Sequence, residues 1–121
     1  RERSTKILKL ADGLGIRVAW LPFESEPPRC NLIVSTVPAG SLIRRAEDLA
    51  ARANAVFDVV YDPWPTPLAV AGKIAGATVI DGLDLLAGQA VGQVQLMTGY
   101  PVPMDVLRST AQNGLAEHAR L

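Results

Sequence analysis

Two strand-like stretches of the sequence end in residues that could contact a ligand. The apolar stretch Phe57–Val60 leads directly to Tyr61, whose ring carries a hydroxyl group. A second short stretch, Ala77–Ile80, ends in an Asp-Gly pair, and the apolar helix predicted after it carries Gln89. In open α/β sheets, ligands bind just outside the carboxyl ends of the strands. We therefore expect the functional site at the sheet edge where these two strands end.

Each of these residue types has a chemical and a structural interpretation. The amide of Gln89 offers an acceptor and two donors, which suits ligand hydroxyl groups, although a glutamine on a helix face can also simply contact water. The amphipathic ring of Tyr61 can face a ligand or close a strand end. Gly82 lacks a Cβ, so a flat ring could approach its backbone closely. A turn with an unusual φ at the helix start would favour glycine there as well.

The composition is that of a soluble globular domain. The 121 residues suffice for one domain with a core, and 49% of them are hydrophobic and 20% charged. Twelve basic residues balance twelve acidic ones, without basic runs among aromatic residues, so nothing indicates a nucleic-acid partner. The single Cys30 excludes an internal disulfide and suits a reducing compartment. No bilayer-length apolar stretch or secretory segment occurs, so we expect a cytoplasmic protein without a membrane partner.

The hydrophobic pattern alternates between helical and strand periods. It predicts helices over residues 4–14, 42–53, 66–74, 83–97 and 104–116, and strands over 32–34, 57–61 and 78–80. The continuous apolar triplet Leu32–Val34 is typical of a strand covered on both faces. The charged side chains of Arg44, Arg45, Glu47 and Asp48 are expected to form a solvated face. The Pro-containing segment Phe23–Arg29 is expected to be a surface connection.

Strands that alternate with helices indicate βαβ units and a parallel sheet. A dinucleotide-binding domain opens with a strand, a Gly-rich turn and a helix, but the sequence contains no GxGxxG motif. The chain begins at Arg1 rather than at a methionine, and a helix is predicted almost at once. We therefore predict a Rossmann-like α/β domain with a parallel sheet flanked by helices. It would lack the first Gly-rich βα unit and would have been cut from a longer protein.

Three segments carry a resemblance to one enzyme family. Residues 60–68 read Val-Tyr-Asp-Pro-Trp-Pro-Thr-Pro-Leu, residues 81–90 read Asp-Gly-Leu-Asp-Leu-Leu-Ala-Gly-Gln-Ala, and residues 31–38 read Asn-Leu-Ile-Val-Ser-Thr-Val-Pro. In order and spacing, they resemble the Tyr-x-Pro-x-x-Thr-Pro-Leu, Asn/Asp-Gly-Leu-Gly-Met-Leu and Asp-Leu-(Ile/Val)-(Ile/Val)-Asn-Ala-Thr-Pro segments of shikimate dehydrogenases. The offset from Gly82 to Gln89 also matches that family.

The resemblance implies an oxidoreductase that reduces 3-dehydroshikimate to shikimate with NADPH in aromatic amino-acid biosynthesis. In that family the catalytic Lys and Asp lie in an N-terminal substrate domain, and a Gly-rich loop opens the cofactor domain. Neither is found in this sequence. Residues 1–121 are therefore expected to be the C-terminal part of an NADP-binding domain. No catalytic residue is expected in the chain, which would be inactive without the N-terminal domain of the same protein.

The resemblance also implies roles for individual residues. Substrate contacts are implied for Tyr61 and Gln89, whose side chains would converge on one pocket beside the glycine turn. Cofactor contacts are implied for Arg1, Ser35, Thr36, Val37, Val59, Gly82 and Leu85. The guanidinium of Arg1 would hold the 2′-phosphate of NADP as a bidentate partner, whereas the neighbouring Glu2 would suit a ribose hydroxyl and leaves NAD open.

Ser35, Thr36 and Val37 replace the family's Asn-Ala-Thr, so their contact with the cofactor is expected through the backbone and van der Waals surface. Two further departures lie in segment 81–90. Leu85 replaces the usual Met, a change that nearly conserves volume. Asp84 replaces the usual Gly, and its carboxylate could repel an anionic ligand if it pointed into the cleft. The departure leaves quinate or another hydroxy acid open as the substrate. Trp64, between two prolines, is expected to form a loop lid on the sheet edge.

Two further alternatives stay open. The enzyme could use quinate with NAD, or the chain could be a truncated, non-catalytic binding module. Elements missing from a sheet also leave an exposed edge and apolar surface. We therefore expect the isolated chain to self-associate.

Overall fold

The computed structural model describes residues 4–118 and residue 120. The elements follow in the order α1 (Thr5–Gly13), β1 (Cys30–Ser35), a short 3-10 helix (Ala39–Leu42), α2 (Ala46–Ala50), β2 (Ala53–Asp58), α3 (Pro67–Ile74), β3 (Thr78–Ile80), α4 (Gly82–Thr98) and α5 (Met104–His118).

The three strands form one parallel sheet in the order β1-β2-β3. Leu32 on β1 lies opposite Ala55 on β2, and Phe57 on β2 lies opposite Ile80 on β3. Strand order in space thus follows order along the chain, and α2 and α3 belong to the crossovers that make such pairing possible. The predicted α/β class, with a Rossmann-like parallel sheet flanked by helices, is confirmed.

The core lies between one face of the sheet and the helices α2 and α3. Val56 and Leu68 are fully buried and pack with Leu42, and Ile33 and Val79 pack against this cluster. Glycine at position 72 lets α3 approach the sheet, because a Cβ there would lie only 2.6 Å from Val56 Cγ2. Small residues also join the two helices, since Ala46, Ala50 and Ala71 form a second buried cluster.

The other face of the sheet is open in the part of the chain that the structure describes. Leu32 is 47% exposed and Val34 is 51% exposed, whereas Ile33 between them packs on the core. Successive side chains of a strand point to opposite faces, so a continuous apolar triplet places two members on this open face. The prediction that Leu32–Val34 is covered on both faces is therefore wrong for the described residues.

The segment between β1 and β2 also differs from the prediction of one helix over residues 42–53. The structure has a 3-10 helix and a short α2, and β2 begins at Ala53 rather than at Phe57. The reason is pairing, because Ala53 lies opposite Cys30 and extends the ladder with β1. Alanine favours a helix over a strand, so its local preference gave the wrong boundary. The strand ends at Asp58 and not at the predicted Tyr61, and the Asp58 carboxylate accepts the N–H of Val60 at 3.3 Å.

Two arginines attach the connection Phe23–Arg29 to the helical layer, and one of them, Arg45, is predicted by the sequence to lie on a solvated face. Arg45 donates hydrogen bonds to the carbonyl oxygens of Phe23 and Ser25, and its guanidinium lies 5.5 Å from the centroid of the Phe23 ring. Arg52 donates to the Pro27 carbonyl at 3.1 Å and forms ion pairs with Glu26 and Asp48. The hydrogen bond from Arg52 is the main cause that lowers the pKa of Asp48. These charges therefore have a structural role.

None of the helices within residues 4–118 combines the length and the apolar character that a bilayer crossing requires.

Candidate functional site

The carboxyl edge of the sheet brings together three residues of the predicted cofactor site. The N–H of Val59, just beyond β2, donates to the carbonyl oxygen of Ser35 at the end of β1, at 3.1 Å. On the other side, Gly82 at the start of α4 lies against the Val59 carbonyl group. Ser35, Val59 and Gly82 thus form a continuous row across the ends of both strands and the helix start.

Close contact with the backbone explains why position 82 holds a glycine. A Cβ at this position would lie 2.2 Å from the Val59 carbonyl oxygen, a distance that real Cβ atoms essentially never show. The alternative explanation, an unusual φ, does not hold, because the described glycines with positive φ are at other positions: Gly15, Gly76 and Gly99. The space left by the missing side chain is filled by the chain's own backbone. Any ligand contact must therefore use another side of the Gly82 peptide.

The segment Ser35–Val37 presents its three side chains differently. Ser35 is 5% exposed, and among the described residues its Oγ is the one buried side-chain polar atom without a hydrogen-bond partner. Val37 is half-buried and packs on the core cluster. Thr36 alone is exposed. A ligand above this edge would accordingly meet the side chain of Thr36 and the backbone of its neighbours.

A buried polar pair that sequence reasoning missed supports the loop after β2. Asp58 is completely buried, and its Oδ2 accepts the hydroxyl of Thr66 at 2.8 Å. The same Thr66 oxygen accepts the N–H of Ala69 at 3.2 Å and so caps α3, with Pro67 at the first helical position. Asp58 thereby ties the two ends of the loop that carries Tyr61. The available signal was a carboxylate within an apolar strand.

Tyr61 lines a cavity of about 280 Å³ between this loop, the start of α4 and α5. The other lining residues are Trp64, Asp81, Leu83, Arg108, Gln112 and Leu115. The tyrosine is 42% exposed and the Trp64 side chain is half-buried, so Trp64 forms a wall of the cavity beside α5. The cavity therefore lies between this loop and α5, a helix that the sequence analysis did not associate with the site.

Gln89 is exposed and lies farther along α4, one turn beyond the half-buried Leu85 on the same helix face. It is not among the residues that line the Tyr61 cavity. The structure therefore does not join the two predicted substrate contacts in one cavity, and their convergence stays a prediction. Arg1, the predicted 2′-phosphate contact, lies outside the described residues.

The first turn of α4 is held by three charged side chains. Asp81 caps the helix by accepting the N–H of Asp84 at 2.8 Å, and Asp84 in return accepts the N–H of Asp81 at 3.1 Å. Arg108 of α5 donates to Asp84 Oδ1 through Nε at 2.6 Å and to Asp81 Oδ2 through Nη2 at 2.7 Å. Two carboxylates and one guanidinium thus form a closed cluster at the cavity wall.

This cluster bears on the expectation that the Asp84 carboxylate could repel an anionic ligand. Burial acts to raise the pKa of Asp84, but the hydrogen bond from Arg108, the backbone hydrogen bond of Asp81 and the Arg108 charge together hold it below the ordinary value. The hydrogen bond with Asp84 also raises the pKa of Arg108. The carboxylate is therefore ionised and bound to its own cation. Sequence reasoning missed Arg108.

Another hollow, of about 540 Å³, lies at the opposite ends of the strands, where Cys30, Ala53 and Ala77 begin or precede them. Arg29, Asn31, Arg52 and Asn54 contribute its polar groups. Ligands of open parallel sheets bind at the carboxyl ends. The Tyr61 cavity and the row Ser35–Val59–Gly82 are therefore the better candidate site.

No family model matches the sequence, but similar proteins and similar solved structures point to one family. A shikimate dehydrogenase (NADP(+)) from Methanocella arvoryzae is 36% identical over 91 residues, which cover 70% of this chain and 33% of that protein. The chain thus spans about a third of the length of the curated relatives that it matches.

Solved structures lead to the same family. A shikimate 5-dehydrogenase from Mycobacterium fortuitum superposes with a TM-score of 0.78 at 35% identity, covering 90% of this chain and 42% of that one. The shikimate dehydrogenase of Mycobacterium tuberculosis has a TM-score of 0.62 at 42% identity and covers 71% of this chain and 32% of its own.

Proposed function

Over the residues that these comparisons match, the chain belongs to the shikimate dehydrogenase family, and we propose that it is part of the cofactor domain of an NADP-dependent enzyme. The whole enzyme would reduce 3-dehydroshikimate to shikimate with NADPH. The observation that carries the proposal is the row Ser35–Val59–Gly82, in which three residues expected to contact the cofactor lie side by side at the carboxyl edge.

The residues of this edge fit the nicotinamide end of NADP. Val59 and Val60 are half-buried, and Leu85 adds apolar surface in the first turn of α4, which suits the flat, neutral dihydronicotinamide ring of NADPH. Bound there, NADPH would supply the hydride. The backbone of Ser35 and Val37 and the exposed Thr36 would contact the cofactor at the next strand end. Arg1 would bind the 2′-phosphate, and the relatives' names, which specify NADP, favour this cofactor over NAD.

The substrate contacts are assigned to Tyr61 and Gln89. The Tyr61 hydroxyl, at the mouth of its cavity, and the exposed Gln89 amide both remain available to a polyhydroxylated acid. Both would hydrogen-bond shikimate when the substrate domain closes over the edge.

The isolated chain would not turn over substrate. Hydride transfer needs the nicotinamide and the substrate carbonyl in near-attack geometry and an acid that protonates the developing alkoxide. The residues assigned here bind and orient, and none of them supplies that proton. The preceding part of the same polypeptide would bring the acid, the substrate domain and the phosphate-binding turn. Sequencing upstream of codon 1 tests this, because a Gly-rich turn and an earlier Lys followed by an Asp are expected.

The activity test uses the full polypeptide that carries this chain. Oxidation of shikimate and of quinate is measured with NADP⁺ and with NAD⁺, and turnover of shikimate with NADP⁺ is expected to be fastest. A preference for quinate with NAD⁺ would show that the proposed substrate and cofactor are wrong. The absence of turnover in all four assays would overturn the proposal.

Paired variants test the assigned substrate contacts. Gln89→Ala is expected to raise KM for shikimate, whereas Gln93→Ala, another exposed glutamine one turn farther along α4, serves as the matched control. Tyr61→Phe is compared with Tyr100→Phe, since Tyr100 is 75% exposed and lies beyond α4. Equal KM values within each pair would remove these two residues from the substrate site.

A further inference from the structure

Arg108 connects the last helix to the start of α4, which carries residues of the candidate site. We propose that Arg108 is a positioning residue for the dehydrogenase reaction: by binding Asp81 and Asp84, it fixes the first turn of α4 against the end of β2. It would thereby set the places of Gly82, Leu85 and Gln89. This inference rests on the proposed function.

The contacts of α4 make its position depend on this cluster. Among the described elements, α4 packs mainly on α5. Its link to the sheet is the first turn, where Gly82 lies against the Val59 carbonyl group. Arg108 is bound to that same turn by two hydrogen bonds of 2.6 and 2.7 Å, and each is also an ion pair. A change at Arg108 would therefore move the turn relative to both of its neighbours.

Charge gives a second reason for an arginine at this position. The capping box holds Asp81 and Asp84 close together, since each side chain accepts the backbone N–H of the other residue. Two neighbouring carboxylates repel each other and would repel an anionic cofactor or substrate. The guanidinium offers separate N–H groups to both carboxylates in one plane, which a lysine cannot do. Arg108 therefore offsets one of the two negative charges and keeps the cap closed.

The location of Arg108 should allow its removal to affect the reaction without unfolding the protein. Its side chain is 30% exposed and lines the same cavity as Tyr61. Removing a partly exposed side chain leaves the buried core cluster around Val56 intact. We accordingly expect Arg108→Ala to fold.

The experiment compares Arg108→Ala, Arg108→Lys, Asp84→Asn and the double variant Arg108→Ala/Asp84→Asn in the full polypeptide. Arg44→Ala, an exposed arginine on the α2 side, is the control. Two quantities are measured in every protein: kcat and KM for shikimate and NADP⁺, and amide hydrogen exchange of residues 83–86.

Arg108→Ala is expected to lower kcat/KM about tenfold or more, as for the loss of a hydrogen bond to a charged group, and to speed exchange in the first turn of α4. Arg108→Lys is expected to lie between Arg108→Ala and wild type in both kcat/KM and the exchange rate. In the Asp84→Asn background, removing Arg108 is expected to lower kcat/KM by a clearly smaller factor, because one of the two repelling carboxylates is gone.

The outcomes separate this inference from the proposed function. Unchanged exchange at residues 83–86 in Arg108→Ala would overturn the positioning role, whatever the activity. Faster exchange with unchanged kcat and KM would overturn the role in the reaction. A wild-type polypeptide that oxidises neither shikimate nor quinate would refute the proposed function and the reaction role together. The exchange data would then still decide whether Arg108 positions α4.

Discussion

At the scale of single residues, Gly82 shows how the fold restricts the candidate site. Its missing side chain allows the start of α4 to touch the Val59 carbonyl group. We expect Gly82→Ala to lower the free energy of unfolding by about 1–3 kcal/mol, because the added methyl group must displace backbone. Urea unfolding measures this change.

The control for this prediction lies in the same helix. A Cβ at Gly92 would meet nothing within 4 Å. Gly92→Ala is therefore expected to raise the free energy of unfolding by up to about 1 kcal/mol through helix propensity. Equal stability of the two alanine variants would contradict the close contact at position 82.

Thr66 serves two partners with one hydroxyl group. Its oxygen accepts the N–H of Ala69 and so caps α3, and its O–H group donates a hydrogen bond to the buried Asp58 carboxylate. Thr66→Ala is expected to cost about 1–3 kcal/mol of stability, since the helix loses its cap and a buried carboxylate loses a donor. Thr66→Ser keeps the hydroxyl and should stay close to wild type in the same denaturation assay. A Ser variant as unstable as the Ala variant would assign the effect to the methyl group instead.

At the scale of elements, the joint between α4 and α5 gives a pH dependence. The folded-state pKa of Asp84 lies below its ordinary value of 3.8, because the hydrogen bonds and charge of Arg108 and the Asp81 backbone outweigh the effect of burial. A group whose pKa is lower in the folded state stabilises the protein above its unfolded pKa and loses this effect as pH falls through the folded value. Asp84 should therefore stabilise the fold at neutral pH, and this stabilisation should begin to decline as the pH falls to about 3.8 and be lost at lower pH.

The measurement compares wild type with Asp84→Asn in urea titrations between neutral and acidic pH. The difference in unfolding free energy is expected to be constant near neutrality and to shrink once the pH falls below 3.8. A difference that grows on acidification would contradict the lowered pKa.

The sequence predicted elements well where it contains explicit start signals. Thr66-Pro67 and Asp81-Gly82 mark the beginnings of α3 and α4, and both helices begin within a residue of the predictions. The segment around Ala53 has no such signal, so strand pairing with β1 fixed a boundary that local preference could not. For the site, the position of Tyr61 shortly after β2 could be predicted from its own neighbours, although the strand ends at Asp58 and not at Tyr61. Arg108 could not, because its partners lie 24 and 27 residues away in the sequence.

At the scale of the whole molecule, the open face of the sheet is the reason to expect that the isolated chain self-associates. Leu32 and Val34 stand exposed there, and Ile33 faces the core. Leu32→Thr combined with Val34→Thr is expected to reduce the apparent mass in light scattering at micromolar concentration with little loss of stability.

Ile33→Thr is the matched control, since it inserts the same residue type into the same strand on the covered face. It is expected to lower the unfolding free energy without reducing association. If the wild-type chain is monomeric at these concentrations, the expectation of self-association is wrong.

The regular strand order has a consequence for how the sheet assembles. Val34 pairs with Phe57, 23 residues later, and Phe57 pairs with Ile80, again 23 residues later. Closing either crossover therefore costs nearly the same chain entropy, so the length of the connection does not decide which strand pair forms first. The outer strands differ instead in pairing and burial: β1 pairs with β2 from Cys30 to Ser35 and contains the buried Ser35, whereas β3 pairs only from Thr78 to Ile80 and has no buried residue. Strand β3 should therefore join the sheet last in folding and leave it first in unfolding. Because Asp81 follows β3 directly, the start of α4 is the part of the candidate site that would lose its structure first.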